Sequence, residues 1–275
     1  MERLLRVLRQ REPDTPPKEL YARIVCGQIY VNGERVRDPA AAVEPGAAIE
    51  YRRRRYVSRG GDKLHAALAE WRIPVAGKVF LDAGASSGGF TDCLLQFGAA
   101  CVHAVDVGYN QLDYRLRSDP RVAVHERTNL MTLPALDPPA DAAVADLSFR
   151  SLHGAAGKLL SLSADGWAIV LVKPQFELAA ALRRRSTPSR SAGSVRDAEG
   201  GVVRDRGVLL QTLLRLAGQL DSDRIAVRRV LASPIAGRRG NREFLFLIAR
   251  AGADPPGAGQ SAAEAEIRRA VAQLD

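Results

Sequence analysis

From Asp62 to Arg250, short apolar runs alternate with helical stretches, and that alternation restricts the chain to few folds. Strand-like runs fall at Val79-Phe80-Leu81, Cys101 to Val105, Val122 to Val124, Ala142 to Ala145, Trp167 to Val172, Ile225 to Val230 and Phe244 to Ala249. Helical periodicity fills most of the gaps: Lys63 to Trp71 with Leu64, Ala67, Leu68 and Trp71 on one face, about Phe90 to Phe97, Leu152 to Ser161, and Val208 to Leu220. Runs that are apolar at successive positions suit strands buried on both faces. Their alternation with helices predicts a doubly wound α/β sheet, which binds ligands outside the carboxyl ends of its strands.

The first strand ends in such a place. Phe80-Leu81-Asp82-Ala83-Gly84-Ala85-Ser86-Ser87-Gly88-Gly89-Phe90-Thr91 reads as strand, glycine-rich turn and helix. Glycine there lets backbone approach a ligand closely. A nicotinamide enzyme would place its second glycine where Ser86 stands. Asp82 before Gly84 instead resembles the first motif of the methyltransferases, whose donor S-adenosylmethionine carries no phosphate. Asp106, which ends the second strand in Ala104-Val105-Asp106-Val107-Gly108, is placed to bind the two ribose hydroxyls of an adenosine. Asn129, after the third strand, could meet the adenine edge. Any adenosine cofactor would satisfy Asp106 and Asn129.

Four polar residues narrow the choice. Asp146 follows the fourth strand in Ala145-Asp146-Leu147-Ser148-Phe149, and Lys173 follows the fifth in Leu171-Val172-Lys173-Pro174, where the proline stops the strand. Glu243 opens the last strand. If that strand runs antiparallel, its start lies beside the ends of the others. Lys63 opens the helix before the first strand and could reach the same edge. A ribose 2′-hydroxyl is a poor nucleophile, so its enzyme must orient the oxygen and help remove the proton. Lys173, crowded by Lys63 and desolvated, could act as base or steering group, with Asp146 and Glu243 offsetting the two charges.

The first 56 residues read as a separate module. Leu4, Leu5, Val7 and Leu8 have helical spacing, as do Leu20, Ile24 and Val25 after Pro16-Pro17. Gln28-Ile29-Tyr30-Val31 then reads as a strand, Asn32-Gly33 as a tight turn, and Ala48 to Tyr51 as a closing strand. Helix, helix, strand and Val-Asn-Gly turn resemble the S-four-type RNA-binding domain, named for a class of ribosomal protein. That resemblance implies a basic platform, with Lys18, Arg23 and Arg35 as candidate backbone contacts. Next comes Arg52-Arg53-Arg54-Arg55-Tyr56-Val57-Ser58-Arg59, too charged to be buried. It reads either as a solvated linker or as a hinge in which Arg53, Arg54, Arg55 and Arg59 contact phosphates.

Lys63, Asp146, Lys173 and Glu243, in that order, match the tetrad of the 2′-O-ribose methyltransferases related to FtsJ. With Tyr56-Val57-Ser58-Arg59-Gly60-Gly61-Asp62-Lys63-Leu64, the turn from Asp82 to Leu94, Asp106-Val107-Gly108-Tyr109 and Gly240-Asn241-Arg242-Glu243-Phe244, the chain resembles the TlyA family up to about Arg250. These proteins are often labelled hemolysins. The resemblance implies a Rossmann-like class I S-adenosylmethionine-dependent methyltransferase, with a seven-stranded α/β sheet whose last strand is antiparallel and a small N-terminal α+β RNA-binding domain. Its bounds would be 1–56 for the RNA-binding domain, 57–62 for a basic, glycine-containing linker, 63–250 for the methyltransferase domain and 251–275 for a tail. It implies catalysis by Lys63, Asp146, Lys173 and Glu243, and cofactor binding by Asp82, Gly84, Ser86, Gly88, Phe90, Asp106, Asn129 and Asp146. The implied partner is ribosomal RNA or a ribosomal subunit. Around Leu178 to Gly200 the sequence departs from the family's glycine-rich continuation, and Arg183 to Gly200 reads as a loop or insertion.

Bulk properties limit the alternatives. Forty basic against 31 acidic residues give a net charge of +9, which favours a polyanionic partner. The three cysteines and four histidines have no zinc-ligand spacing, so no metal is expected, and Cys26, Cys93 and Cys101 read as buried thiols in a reducing compartment. A charged amino terminus and the lack of about 20 consecutive apolar residues point to a cytoplasmic protein without membrane insertion. A membrane-active hemolysin would need an amphipathic or spanning segment. A non-catalytic RNA-binding assembly factor would not need the four polar residues. The arginine run makes its own prediction. Replacing Arg53, Arg54 and Arg55 with Ala should weaken RNA binding and flatten its salt dependence, by about 0.7 to 0.9 in slope per lost phosphate contact. An unchanged slope in filter-binding titrations from 50 to 200 mM salt, a range of about fourfold, would reduce the run to a spacer.

Overall fold

The apolar runs pair into one seven-stranded sheet in the computed structural model, which describes residues 1–51, 55–148, 151–185, 201–237, 239–258 and 262–274. The chain divides into two compact units, Met1–Arg55 and Tyr56–Asp275.

In the first unit, helices α1 (Leu4–Arg11) and α2 (Pro17–Val25) pack on a three-stranded sheet in which β2 (Ile29–Val31) lies between β3 (Glu34–Val36) and β5 (Ile49–Tyr51). Pro17 sits in the first turn of α2, where a missing N–H costs nothing. Asn32 and Gly33 both take positive φ (50° and 83°), as the two-residue turn between β2 and β3 requires. The short strands β1 (Glu2–Arg3) and β4 (Ala42–Val43) pair antiparallel. Leu4, Leu8, Leu20, Ile24, Ile29 and Val43 form the core.

The second unit is built on β6 (Val79–Ala83), β7 (Cys101–Val105), β8 (Val122–His125), β9 (Ala142–Ala145), β10 (Trp167–Val172), β11 (Ile225–Ala232) and β12 (Phe244–Arg250). Their order across the sheet is β11-β12-β10-β9-β6-β7-β8, with β12 antiparallel to both neighbours. From β6 the chain goes first to β7 and β8 on one side, then to β9 and β10 on the other. This reversal leaves a crevice at the carboxyl ends of β6 and β9. Side chains alternate between two cores because strand residues alternate faces. Phe80, Trp167 and Leu245 meet α3 (Arg59–Trp71) and α4 (Gly89–Gln96) on one face. Leu81, Val170 and Phe246 meet α6 (His153–Ser161) and α8 (Arg206–Ser222) on the other.

Three stretches differ from the sequence reading. Residues 59–62 are the first turn of α3 rather than linker, because Ser58 caps the helix by accepting from the Gly60 N–H (3.3 Å) and Tyr56 is buried against Gly61. A Cβ on Gly61 would lie 2.3 Å from Tyr56 Cβ. Pro174 not only ends β10 but starts α7 (Pro174–Arg185), so the interval read as loop from Arg183 begins inside a helix, and 186–200 lies outside the described residues. The tail carries α9 (Ala263–Ala272), which belongs to the unit's core through Ile267, Ala270, Val271 and Leu274. Their spacing of three, four and seven residues makes one apolar face. Among the cysteines Cys93 is buried, whereas Cys26 is exposed.

Ile267 is fully buried. Ile267→Ala should therefore cost about 2–5 kcal/mol in urea unfolding. A loss within error of zero would mean that the segment after Arg250 adds nothing to the fold.

Candidate active site

The turn after β6 is shaped by what cannot fit there. Gly84 has φ +84°, and a Cβ on it would lie 2.6 Å from the Asp146 carbonyl oxygen. Gly88 has φ +91°, and a Cβ there would meet Leu116 Cδ1 at 2.2 Å. The N–H groups of Gly84 and Ala85 both donate to the Val105 carbonyl (2.8 and 3.1 Å), which ties the turn to the end of β7. Asp82 sits beneath with no exposed surface. Its Oδ2 accepts from Thr91 Oγ1 (2.6 Å), and its Oδ1 has no hydrogen-bond partner among the described residues. Burial pushes the Asp82 carboxyl up to about 7; the Thr91 hydroxyl opposes the shift, and the charges of Asp146 and Asp106 add to it. A buried oxygen without a partner, under a turn kept clear by glycines, fits a ligand that brings a cationic amino group. The amino-acid end of S-adenosylmethionine is such a group.

Asp106 ends β7 with both oxygens engaged, Oδ2 by the Ser86 N–H (2.9 Å) and Oδ1 by the Gly108 N–H (2.6 Å). Each oxygen keeps a second lone pair for a hydroxyl. Ser86 is exposed in the turn at φ +50°. Asn129 spends its Oδ1 on the Met131 N–H (3.0 Å) as cap of the short 3-10 turn Leu130–Thr132, so only its amide NH2 can face a ligand. Phe90 is 2% exposed in the core with Tyr56, Leu64 and Leu94. That leaves it almost no surface for a ligand, and its role is to seat α4.

The four polar residues form two ion pairs. Lys63, in α3, bonds Glu243, and both are buried (7% and 5% exposed). Lys173 Nζ lies 2.5 Å from Asp146 Oδ1, 2.9 Å from Ser148 Oγ and 3.3 Å from the Leu147 carbonyl oxygen. Strand register brings the pairs to one edge. Lys173 follows Val172, whose ladder partner Phe244 follows Glu243, while Asp146 follows Ala145, the partner of Ala83. The expected crowding of Lys173 by Lys63 is replaced by a separate carboxylate for each ammonium. Burying one ammonium unpaired would cost several kcal/mol, on the order of 3–5. Sequence reasoning missed Ser148, whose hydroxyl is an ordinary polar group until the fold sets it against Lys173. It also missed Gly237, where a Cβ would stand 2.6 Å from Glu243 Oε1; Arg238, its neighbour, lies outside the described residues.

The basic candidates of the first unit separate into two groups. Arg23 is bound by Glu12 (3.0 Å) and Glu19 (2.7 Å) and lies over the Tyr51 ring, 5.5 Å from its centroid. Arg35 donates to the carbonyls of Gly27 (2.7 Å) and Cys26 (3.3 Å). Both are engaged in holding their own unit together, which corrects their assignment as backbone contacts. Lys18 is exposed on α2, and Arg55 and Arg59 are exposed before and at the start of α3. Arg53 and Arg54 lie outside the described residues.

Among the described residues no cluster of His, Cys, Asp and Glu could hold a metal ion, and no helix is long and apolar enough to cross a membrane. Residues 56–250 match the FtsJ-like methyltransferase family. The chain is 40% identical over 234 residues to the 16S/23S rRNA (cytidine-2'-O)-methyltransferase TlyA of Mycobacterium tuberculosis, covering 82% of this chain and 81% of that one. It is 37% identical over 235 residues to Hemolysin A of Brachyspira hyodysenteriae, covering 82% and 91%. A solved structure of a protein named as a hemolysin, from Streptococcus thermophilus, superposes with TM-score 0.68 and 31% identity over 99% of this chain and 94% of that one.

Asp82 gives the site a pH signature. Its folded-state value near 7 lies above the 3.8 of an unperturbed carboxyl, so the folded protein holds this proton more tightly than the unfolded chain. The associated stability is complete below about pH 4 and is lost as pH rises toward 7. Urea unfolding of the ligand-free protein across that window should show a fall in stability that Asp82→Asn, which keeps an acceptor for Thr91, lacks. Parallel curves for the two proteins would rule out a protonated Asp82.

Proposed function

The chain belongs to the FtsJ-like methyltransferase family, and on that premise we propose that it transfers the methyl group of S-adenosylmethionine to a ribose 2′-hydroxyl of ribosomal RNA. The reading is carried by the two lysine–carboxylate pairs at the strand ends beside the Gly84 turn. By analogy with the relative named for it, the modified nucleoside is a cytidine. The first unit serves as an S-four-type RNA-binding domain, with Lys18 and the arginines from Arg53 to Arg59 meeting phosphates. The work is done in the cytoplasm, where ribosomal RNA is assembled.

Bound S-adenosylmethionine supplies a methyl carbon already activated by its sulfonium. Asp82 offers its unpartnered oxygen to the amino group, Asp106 accepts from the ribose hydroxyls, and the Asn129 amide meets the adenine edge. Lys173 donates to the 2′-oxygen of the RNA and fixes it in line with the methyl carbon. As the new carbon–oxygen bond forms, the hydroxyl proton leaves to the Lys173–Asp146 pair. Lys63 and Glu243 hold the start of β12 against α3 and keep a second charge-balanced pair at the same edge. Ser148 limits the directions in which the Lys173 ammonium can point.

Lys173→Ala should lower tritium transfer from labelled S-adenosylmethionine into ribosomal RNA by about 10²- to 10⁴-fold. Cofactor affinity, read by calorimetry, should stay near that of the parent. Full transfer in this variant would discard Lys173 as the group that handles the hydroxyl. Loss of a labelled base rather than a ribose in the digested product would discard the 2′-O assignment.

A further inference from the structure

We propose that Glu177 is a positioning residue for the methyl-transfer site, acting through the segment that follows Asp146; the inference rests on the role given above to Lys173. α7 starts directly after Lys173, and Glu177 lies four residues beyond it, one helical turn along. Glu177 is 7% exposed although it carries a carboxylate. Its Oε2 accepts from Ser151 Oγ (2.6 Å) and its Oε1 from the Leu152 N–H (2.8 Å). Leu152 is the N-cap residue of α6, a helix with no side-chain cap of its own. Glu177 therefore supplies from another helix an anion at the start of α6, where free N–H groups and the helix dipole favour one.

The same turn of chain grips the segment on both sides of residues 149–150. Lys173 binds Asp146, the Leu147 carbonyl and Ser148 Oγ, while Glu177 binds Ser151 and Leu152. Every oxygen that holds the Lys173 ammonium thus lies on a stretch whose far end is anchored by Glu177. Burying a carboxylate costs free energy that an apolar side chain of the same size would not. What the carboxylate adds is two acceptor oxygens and no donor, matched to one hydroxyl and one N–H. Glutamine at 177 would turn an NH2 toward one of those two donors, and the start of α6 would have to shift. Leu147 and Ser148 would move with it and free Lys173 to point elsewhere.

The test compares full-length wild type, Glu177→Gln, Ser151→Ala and the double variant in single-turnover and steady-state methyl transfer. Lys173 acetylation by acetic anhydride, read by mass spectrometry, is followed in parallel. In Glu177→Gln, kcat should fall about 10- to 100-fold, the cost of misplacing a reacting group. KM for RNA and affinity for S-adenosylmethionine should stay within about twofold, because ground-state binding is untouched. Lys173 labelling should rise. Ser151→Ala should move both readouts the same way by less, and the double variant should match Glu177→Gln because one interaction is being removed. Wild-type kcat and labelling in Glu177→Gln would overturn the inference. So would a loss shared equally by kcat and cofactor affinity with no change in labelling, which is the mark of general destabilisation. If Glu177→Gln does not fold, Ser151→Ala decides by the same two readouts. If wild type moves no methyl group to RNA, the functional reading fails by itself, and Lys173 labelling still decides whether Glu177 positions it.

Discussion

Two ammonium groups stand at the carboxyl edge of the sheet, and each is held by a carboxylate from a distant part of the chain. Lys63 and Glu243 are 180 residues apart in sequence and are buried together. Removing either partner of such a pair leaves an uncompensated charge and typically costs about 3–5 kcal/mol, so the fold must deliver both ends at once. The sheet order does this. An antiparallel β12 between β10 and β11 brings its own start, and with it Glu243, to the edge where the parallel strands end. A parallel strand at that place would have carried Glu243 to the opposite edge, leaving Lys63 alone.

The glycine turn is the second constraint, and it is steric. Gly84 passes against the backbone of Asp146, so the loop that frames the crevice and the residue that holds Lys173 are in contact. Gly237 stands in the same relation to Glu243. At both places a methyl group would push a functional carboxylate or its backbone away. Asp82 below the turn is left with one unpartnered oxygen at no exposure, an arrangement that stability alone would not select. Its free energy penalty is offset when a cation binds there, so the unpartnered atom is itself evidence of a ligand site.

Much of this was legible in the residue order. Strand and helix spans followed from periodicity because strands buried on both faces leave unbroken apolar runs, as in Trp167 to Val172. Asp82, Asp106, Asp146 and Lys173 could be placed because each interrupts or ends such a run, where a charge is costly unless it is at an edge. Less legible were elements whose signal is local and mixed. Residues 59–62 resemble linker by composition, but Ser58 caps them into helix and Tyr56 packs over Gly61. The segment after Arg250 begins with Gly and Pro, yet its apolar face at Ile267, Ala270 and Val271 is needed to cover the core beside α8. Arg23 and Arg35 looked like surface charges, and only the fold reveals their acceptors in Glu12, Glu19, Gly27 and Cys26.

By itself, then, the order of residues determined the α/β class, the turn at the head of the crevice and the identity of the four charged residues. It could do so because periodicity, glycine conformational freedom and the cost of a charge in an apolar strand all act over a few neighbouring positions. Which charge pairs with which was decided by tertiary structure alone. Lys63 takes Glu243, Lys173 takes Asp146, and Glu177 reaches across to the start of α6. Pairing depends on strand register and on helices arriving from far along the chain, and no local pattern encodes those distances.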